Sequence, residues 1–376
     1  MSGRALVGNG DVNDLGLWDG HGFFFLRAGQ RNGLFQGGVI IHRERLRYRR
    51  IVWNALRRAR FEKPGGFQYS RSYRYRAWAE RSEPSGINEY VSHFPLLPPA
   101  EVVREPVTYF LDATLHQNFN SFAARHVAKR LQVEALAYER EAYLASRFVV
   151  CWSRWCANDV ESFYGISPEK IRIIPPGAGV DEDSVPAPLP WNGDLSPLRL
   201  GFIGGDWERK GGPLLLDIAT ALQRMGHSVE VVAIGPEAAA LPRHPALRAK
   251  GFLDKSHALP RFVELVRSLH FGCLLSSDEP FGISTLECIR LGVPVIGTTV
   301  DGIPETVPPG AGLLVSLEQT GEEIAEMLAC LLRRPEEYAA MRDAARNAAP
   351  LQSWNRTADR FLALLQDEQV PKASLP

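Results

Sequence analysis

The chain has 376 residues, 45% of them hydrophobic and 23% charged, and its formal net charge is zero. That length holds two domains of ordinary size, and the composition is that of a globular protein rather than a low-complexity or repeat chain. No apolar run reaches the roughly 18 residues of a membrane-spanning helix.

In chain order, the first residues lack a basic region followed by an apolar core, so no signal peptide is expected. Trp18-Asp19-Gly20-His21-Gly22 reads as a turn whose glycines allow close backbone approach. Residues 43–81 carry 13 Arg or Lys against three acids, Glu44, Glu62 and Glu80. Leu46, Ile51, Val52, Trp53, Leu56 and Phe61 are interleaved with these arginines. Two readings stay open for this stretch: a helix lying on an anionic membrane surface, or a solvated helix whose arginines meet acids elsewhere in the fold. An anionic acceptor would also use such a patch.

Residues 107–111 read as a buried strand ending at Asp112, with His116 one helical turn on. Residues 121–147 are apolar at helical spacing and lead into a strand at 148–150, and a further strand is expected at 171–174. A proline-rich, acidic stretch without periodicity follows near 181–197 and reads as a linker. Asp181-Glu182-Asp183 within it fits D-x-D, a metal motif, but its setting is that of a solvated acidic turn. Beyond it the pattern becomes regular: strand 198–203, helix 213–225 with Gly226 as its C-terminal cap, strand 228–234, helix 259–269, strand 271–275, helix 284–291, strand 293–297 and helix 320–333. Strands alternating with helices imply an α/β, doubly wound parallel sheet, whose ligands bind beyond the carboxyl ends of the strands. The five cysteines form no C-x2-C pair and no metal-site spacing. They suit a reduced, cytoplasmic compartment.

The densest chemistry lies in 278–305. Glu279 and Glu287 stand eight positions apart around a Pro-Phe-Gly turn and a helix start, followed by an apolar strand and Gly302-Ile303-Pro304-Glu305. A loop feeding a helix N-terminus offers unpaired N–H groups and the positive end of the helix dipole, which suits a phosphate or diphosphate. Two neighbouring carboxylates can hold sugar hydroxyls. Ser284-Thr285-Leu286-Glu287 also fits an S-x-x-E capping box, which would fix a helix start without any ligand. Upstream, Lys210 lies in the glycine-flanked loop Gly204–Gly212 between a strand and a helix, the place for a cation beside a diphosphate.

The E-x7-E pair at Glu279 and Glu287, the Gly204-Gly205 turn with Arg209-Lys210-Gly211-Gly212, Ile173-Ile174-Pro175-Pro176-Gly177 and Trp354-Asn355-Arg356-Thr357 together resemble the retaining, family-4 type glycosyltransferases of the GT-B fold. The resemblance is good over the C-terminal half, fair over 134–181 and loose over the first 130 residues. It implies two facing Rossmann-like domains: an acceptor-side domain at 1–181, a linker at 182–197, a nucleotide-sugar domain at 198–351, and a crossover helix from 352 to 376. It implies transfer of a sugar from a nucleotide-diphosphate sugar, UDP-linked for preference, to a hydroxyl acceptor, with no metal and no cofactor beyond that donor.

Residue by residue, the resemblance gives Lys210 and Glu279 to catalysis, with Asp112 and His116 as further candidates at a strand end where many relatives have a histidine. It gives donor binding to Gly20, Gly22, Gly204, Gly205, Arg209, Pro280, Phe281, Gly282, Ile283, Ser284 and Glu287, the last on the ribose. Relatives usually carry an arginine where Gly205 stands, so Arg209 or Arg154 is expected to supply the second positive charge. The expected partners are a nucleotide sugar and a sugar, polysaccharide-precursor or lipid-linked acceptor, with peripheral membrane contact through 43–81 and no nucleic acid. The other functions in view are a GT-B epimerase, a phosphorylase, and a non-catalytic nucleotide-sugar-binding subunit.

Overall fold

The computed structural model describes residues 3–60, 63–121, 124, 126–180, 185 and 193–366. Asp181-Glu182-Asp183 and most of the expected linker lie outside the described residues. The chain divides into two compact units, one of residues 1–176 together with 355–376, the other of residues 177–354.

The first unit is built on strands β1 (Arg4–Val7), β2 (Gly37–Val39), β3 (Glu89–Ser92), β4 (Val107–Leu111), β5 (Phe148–Cys151) and β6 (Ile171–Ile173). They pair in the order β2-β1-β3-β4-β5-β6, every pair parallel. All five residues of β4 are buried, because helices cover both faces of a parallel sheet. The helices are α1 (His21–Arg31), α2 (Arg47–Ala59), α3 (Arg71–Ala79), α4 (Leu115–Asn120), α5 (Lys129–Ala145) and α6 (Arg154–Ser162).

Among the described residues of the stretch 121–147, expected to be helical, only Lys129–Ala145 form a helix, because α4 ends just before that stretch. Thr114 caps α4 in a reciprocal box with Gln117, and α4 ends at Ser121 before α5 begins. Buried Ala124 and Val127 in the connection belong to the same core as Leu131 and Ala135 of α5. The apolar spacing thus runs on across a break in the backbone.

The second unit repeats the plan with β7 (Leu198–Ile203), β8 (Val229–Ile234), β9 (Leu247–Gly251), β10 (Phe271–Leu274), β11 (Val295–Thr298) and β12 (Gly312–Val315), in the order β12-β11-β10-β7-β8-β9. Its helices are α7 (Gly212–Arg224), α8 (Lys255–Arg267), α9 (Ile283–Arg290), α10 (Gly321–Leu332) and α11 (Pro335–Ala348). Helix α8 starts four residues before the expected 259, with a non-helical Ala258 inside it and Pro260 just beyond. A proline is tolerated in a first turn, so the sequence marks only the second half as helix.

The final helix, α12 (Trp354–Gln366), belongs for nearly all its length to the first unit. Phe361 is fully buried there, its ring 5.0 Å from that of Phe25 and 4.8 Å from that of Phe110. Asn32 donates to Asp359, Thr357 to the Pro175 carbonyl and Arg360 to the Ile173 carbonyl. Both sheets are thus entirely parallel, the doubly wound α/β architecture of the GT-B fold. Among the described residues no helix is long and apolar enough to cross a membrane.

One buried polar network fixes the start of α4. The Glu139 carboxylate, fully buried on α5, accepts from the Leu115 N–H at 2.9 Å and from the Tyr143 hydroxyl at 2.6 Å, and Tyr164 donates to it as well. Asp159 accepts from the Thr114 hydroxyl and pairs with His116 Nδ1 at 2.8 Å. Burial pushes the Glu139 carboxyl up to about 7, against the hydrogen bonds that favour its ionised form.

Two predictions follow from these contacts. Phe361→Ala should destabilise the protein by about 3–5 kcal/mol, the usual cost of removing a buried aromatic ring, read from denaturant unfolding; a loss under about 1 kcal/mol would mean that α12 is not needed for the first unit's stability. Glu139 carries a raised folded-state pKa, so its stabilising contribution is complete below the unfolded value near 4.5 and is lost as pH rises through about 7. Glu139→Gln cannot ionise, so its melting temperature relative to the parent should move in the variant's favour between pH 5 and pH 8. A pH-independent difference would contradict the raised pKa.

Candidate functional site

In the second unit the chain leaves β7 and β10 in opposite directions although the two strands pair side by side, at Leu200 with Phe271 and Phe202 with Cys273. Doubly wound sheets bind ligands at such a switch point, and both loops that open there carry the charged residues singled out in the sequence.

The loop after β7 is fixed by Trp207. It is buried, packs 4.7 Å from Phe202 and fills the space beside Gly212. Gly211 has φ +78°, and a Cβ on it would lie 2.2 Å from the Leu275 carbonyl oxygen, so only glycine fits. With Trp207 turned inward, Arg209 and Lys210 project to the loop after β10. Lys210 lies across Gly204, where a Cβ would come within 2.6 Å of its Cδ. Its Nζ is 3.0 Å from Glu279 Oε2. The Arg209 guanidinium reaches the same oxygen at 3.0 Å, the Asp278 carbonyl at 2.5 Å and Asp206 at 3.3 Å. One carboxylate is therefore shared by two cations, one of which, Arg209, is also paired with Asp206. Gly205 is exposed in this loop, and a Cβ there would meet nothing within 4 Å.

Glu279 is held from behind as well. Its N–H donates to Asp301, 3.1 Å away, a non-glycine residue at φ 49°. Burial raises the Asp301 pKa, and the nearby Asp278 and Glu279 charges add to this. Beyond Pro280 and the buried Phe281, Gly282 adopts φ 98° and starts α9 at Ile283, and no side chain caps that helix. The capping box open to Ser284 and Glu287 is thus not formed: both lie inside the helix. Glu287 is only 2% exposed and its Oε1 pairs with Lys255 Nζ. The backbone at Gly179 presses on the same group, where a Cβ would stand 2.5 Å from Oε1.

Lys255 is a site residue that sequence reasoning missed. It opens α8 just after its N-cap Asp254 and lies over the Phe262 ring at 4.6 Å. The signal available was Asp254-Lys255-Ser256, an Asx cap in which Asp254 accepts from the Ser256 N–H at 2.9 Å.

In the first unit, a cavity of about 400 Å³ opens at the carboxyl ends of β1, β3, β4 and β5, lined by Asn9, His21, Arg43, His93, Asp112 and Trp152 among others. Asp112 is there, as a strand-end residue. His116 is not a lining residue: it pairs with Asp159 and stacks on Phe163 at 3.6 Å, a structural role. His93 was missed because β3 is short and has no alternation. Its Nδ1 donates to the Phe110 carbonyl, 3.1 Å away, and burial lowers its pKa to about 4, so it is neutral near pH 7. Gly20 is the left-handed N-cap of α1, while Gly22 lies within that helix, facing Val12, rather than in a loop. Arg154 is exposed at the first turn of α6. Among the described residues no group of His, Cys, Asp and Glu is arranged to hold a metal ion.

Comparison with known proteins agrees with this architecture. Residues 197–334 match the family model "Glycosyl transferases group 1", and residues 41–182 match "Glycosyltransferase Family 4". A D-inositol 3-phosphate glycosyltransferase of Saccharomonospora viridis is 28% identical over 230 residues, 56% of this chain and 53% of the relative. A mannosyltransferase of Mycolicibacterium hassiacum, named as an MMP alpha-(1->4) enzyme, is 24% identical over 56% of this chain and 51% of its own length. The matches thus span about half the length of these curated relatives. Among solved structures, sucrose-phosphate synthase from Thermosynechococcus elongatus superposes with a TM-score of 0.67 at 14% identity, covering 97% of this chain and 98% of its own. WaaG, described as a glycosyltransferase involved in lipopolysaccharide biosynthesis, gives 0.66 at 15% identity, covering 96% and 99%. With both of its units matched by glycosyltransferase family models and its whole length by this fold, the chain belongs to the family-4 type glycosyltransferases of the GT-B fold.

Proposed function

We propose that this glycosyltransferase moves a sugar from a nucleotide-diphosphate sugar to an acceptor hydroxyl, with retention of anomeric configuration and without a metal ion. The observation that carries this reading is the pairing of Arg209 and Lys210 on Glu279 at the switch point of the second sheet. Two cations beside the uncapped N-terminus of α9 form a receptor for a diphosphate. As the bond from the sugar to the diphosphate breaks, negative charge grows on the leaving oxygen, and Lys210, Arg209 and the N–H groups near 282–284 stabilise it. Arg209 takes the part of the arginine that Gly205 lacks. One preorganised donor of this kind is typically worth about 3–4 kcal/mol.

Glu279 is proposed to hold hydroxyls of the transferred sugar, and Glu287, paired with Lys255, the ribose hydroxyls. The cavity with Asp112, His21 and His93 is proposed for the acceptor side, a sugar, polysaccharide precursor or lipid-linked sugar, in a cytoplasmic setting. We take UDP as the first base to test. One relative is named as GDP-mannose-dependent, and the structurally similar HepE of Anabaena is described in complex with UDP and glucose. The non-catalytic reading draws on Gly205 alone, and the position of Arg209 argues against it.

A thermal-shift screen against UDP, GDP, ADP and their sugar conjugates, with and without a divalent cation, tests the donor site. A metal-independent rise of several degrees with one nucleotide is expected, since a ligand at a hundred times its Kd adds about 2.7 kcal/mol; no shift with any of them would overturn the reading. Lys210→Ala should lower kcat at least a hundredfold with the melting temperature kept, and near-parental turnover would remove the diphosphate role. Glu287→Ala should weaken nucleotide affinity measured by calorimetry. A fall in melting temperature with unchanged affinity would make the Lys255 pair purely structural.

A further inference from the structure

The basic segment resolves into two halves with different physics. In α3 and just after it two arginines are held by acids: Arg74 is fully buried in a two-pronged pair with Glu101, at 3.1 and 2.8 Å, and the half-buried Arg81 pairs with Glu83, while Arg71 and Arg76 are exposed. Helix α2 is the reverse. It has no buried residue at all.

Its inner face is docked by Trp53, whose ring lies 5.7 Å from that of Phe67, and by polar contacts. Trp53 Nε1–H donates to the Gly65 carbonyl at 3.0 Å, Asn54 accepts from the Gly65 N–H at 2.8 Å, and Arg57 donates to the Lys63 carbonyl at 2.8 Å. These three side chains fall on one side of the helix at 100° per residue. The other side is apolar and faces outward. Tyr48 is 75% exposed, Ile51 54%, Val52 39% and Leu56 56%, with exposed Ala55 and Ala59 among them. On the helical wheel they fill one arc of roughly 140°. Arg47 and Arg58 border that arc on one side and Arg49 on the other. Among the described residues, no acidic side chain forms an ion pair with Arg47, Arg49, Arg50, Arg58 or Arg60.

An amphipathic helix normally turns its apolar stripe to the core. Here the stripe points to solvent, bordered by cations that no carboxylate of the described residues pairs with. We infer that α2 is an interfacial helix that docks the first unit on an anionic lipid surface, with Tyr48, Ile51, Val52 and Leu56 in the headgroup–acyl boundary and Arg47, Arg49 and Arg58 on lipid phosphates. Charge complementarity decides the occupant. A second copy of this face would set arginine rows against each other, whereas anionic headgroups match them along both edges. Tyr48 has the polar tip and apolar ring suited to that depth. The inference is independent of the donor chemistry.

Cosedimentation of the full chain with phosphatidylcholine vesicles, and with vesicles that also contain phosphatidylglycerol, tests it. Binding is expected only to the mixed vesicles and should weaken as salt rises. The triple variant Arg47→Gln/Arg49→Gln/Arg58→Gln should lower the partition coefficient about fivefold per arginine. Ile51→Glu/Leu56→Glu should abolish binding. All five positions are exposed, so the melting temperature and the nucleotide-induced thermal shift should stay at parental values. Absence of vesicle binding, equal binding to neutral vesicles, or binding unchanged in both variants would overturn the proposal. So would a dimer in light scattering that Ile51→Glu/Leu56→Glu converts to a monomer without any vesicle binding, which would make this face a subunit interface.

Discussion

Arg209, Lys210 and Glu279 owe their places to one topological fact: β7 and β10 are neighbours in the sheet while the chain departs from them to opposite sides. Doubly wound sheets bind ligands outside the strand ends at such a point. Arg209 and Lys210 enter from one lip and Glu279 from the other. The first unit has the same divergence between β1 and β3, and its polar cavity opens at the carboxyl ends of those strands, beside β4 and β5. Two sheets of like construction thus present different side chains at the same kind of place, an Arg–Lys–Glu cluster in one and histidines in the other.

The pairs at these sites do little for stability by themselves. Partly exposed ion pairs such as Lys210–Glu279 contribute about 1 kcal/mol or less. A lysine and an arginine tied to one carboxylate have few rotamers left, so under the proposed function little order would remain to be imposed when a diphosphate arrived. The buried network around Glu139 is the opposite case. It satisfies three donors in a dry core, and loss of any partner leaves a polar group without solvent.

Much of this was legible in the sequence. After residue 198 the inner strands are buried, and those at 198–203, 229–234 and 271–274 fall where the apolar runs put them, whereas the partly exposed edge strands β9 and β12 left no such run and were not foreseen. Glu279 and Lys210 were legible because glycines and a proline mark their loops. The first unit was harder to read. Strands β1 to β3 have three or four residues each, too short for periodicity to register. His93 and Lys255 act through tertiary neighbours, Phe110 in one case and Glu287 in the other, which no local pattern encodes. The orientation of α2 was equally hidden: spacing reveals an apolar stripe but not which way it faces.

The closing helix has a consequence for how the protein is made. Because α12 completes the core around Phe25 and Phe110, the first unit is discontinuous in the chain, while the second is one uninterrupted stretch. During synthesis the amino-terminal sheet emerges first but must wait, with its aromatic cluster uncovered, until the ribosome has released some 180 further residues. The later-made unit can finish folding before the earlier one. The nascent chain therefore carries an exposed apolar surface while the whole second unit is made, and chaperone demand should be greatest for the first unit.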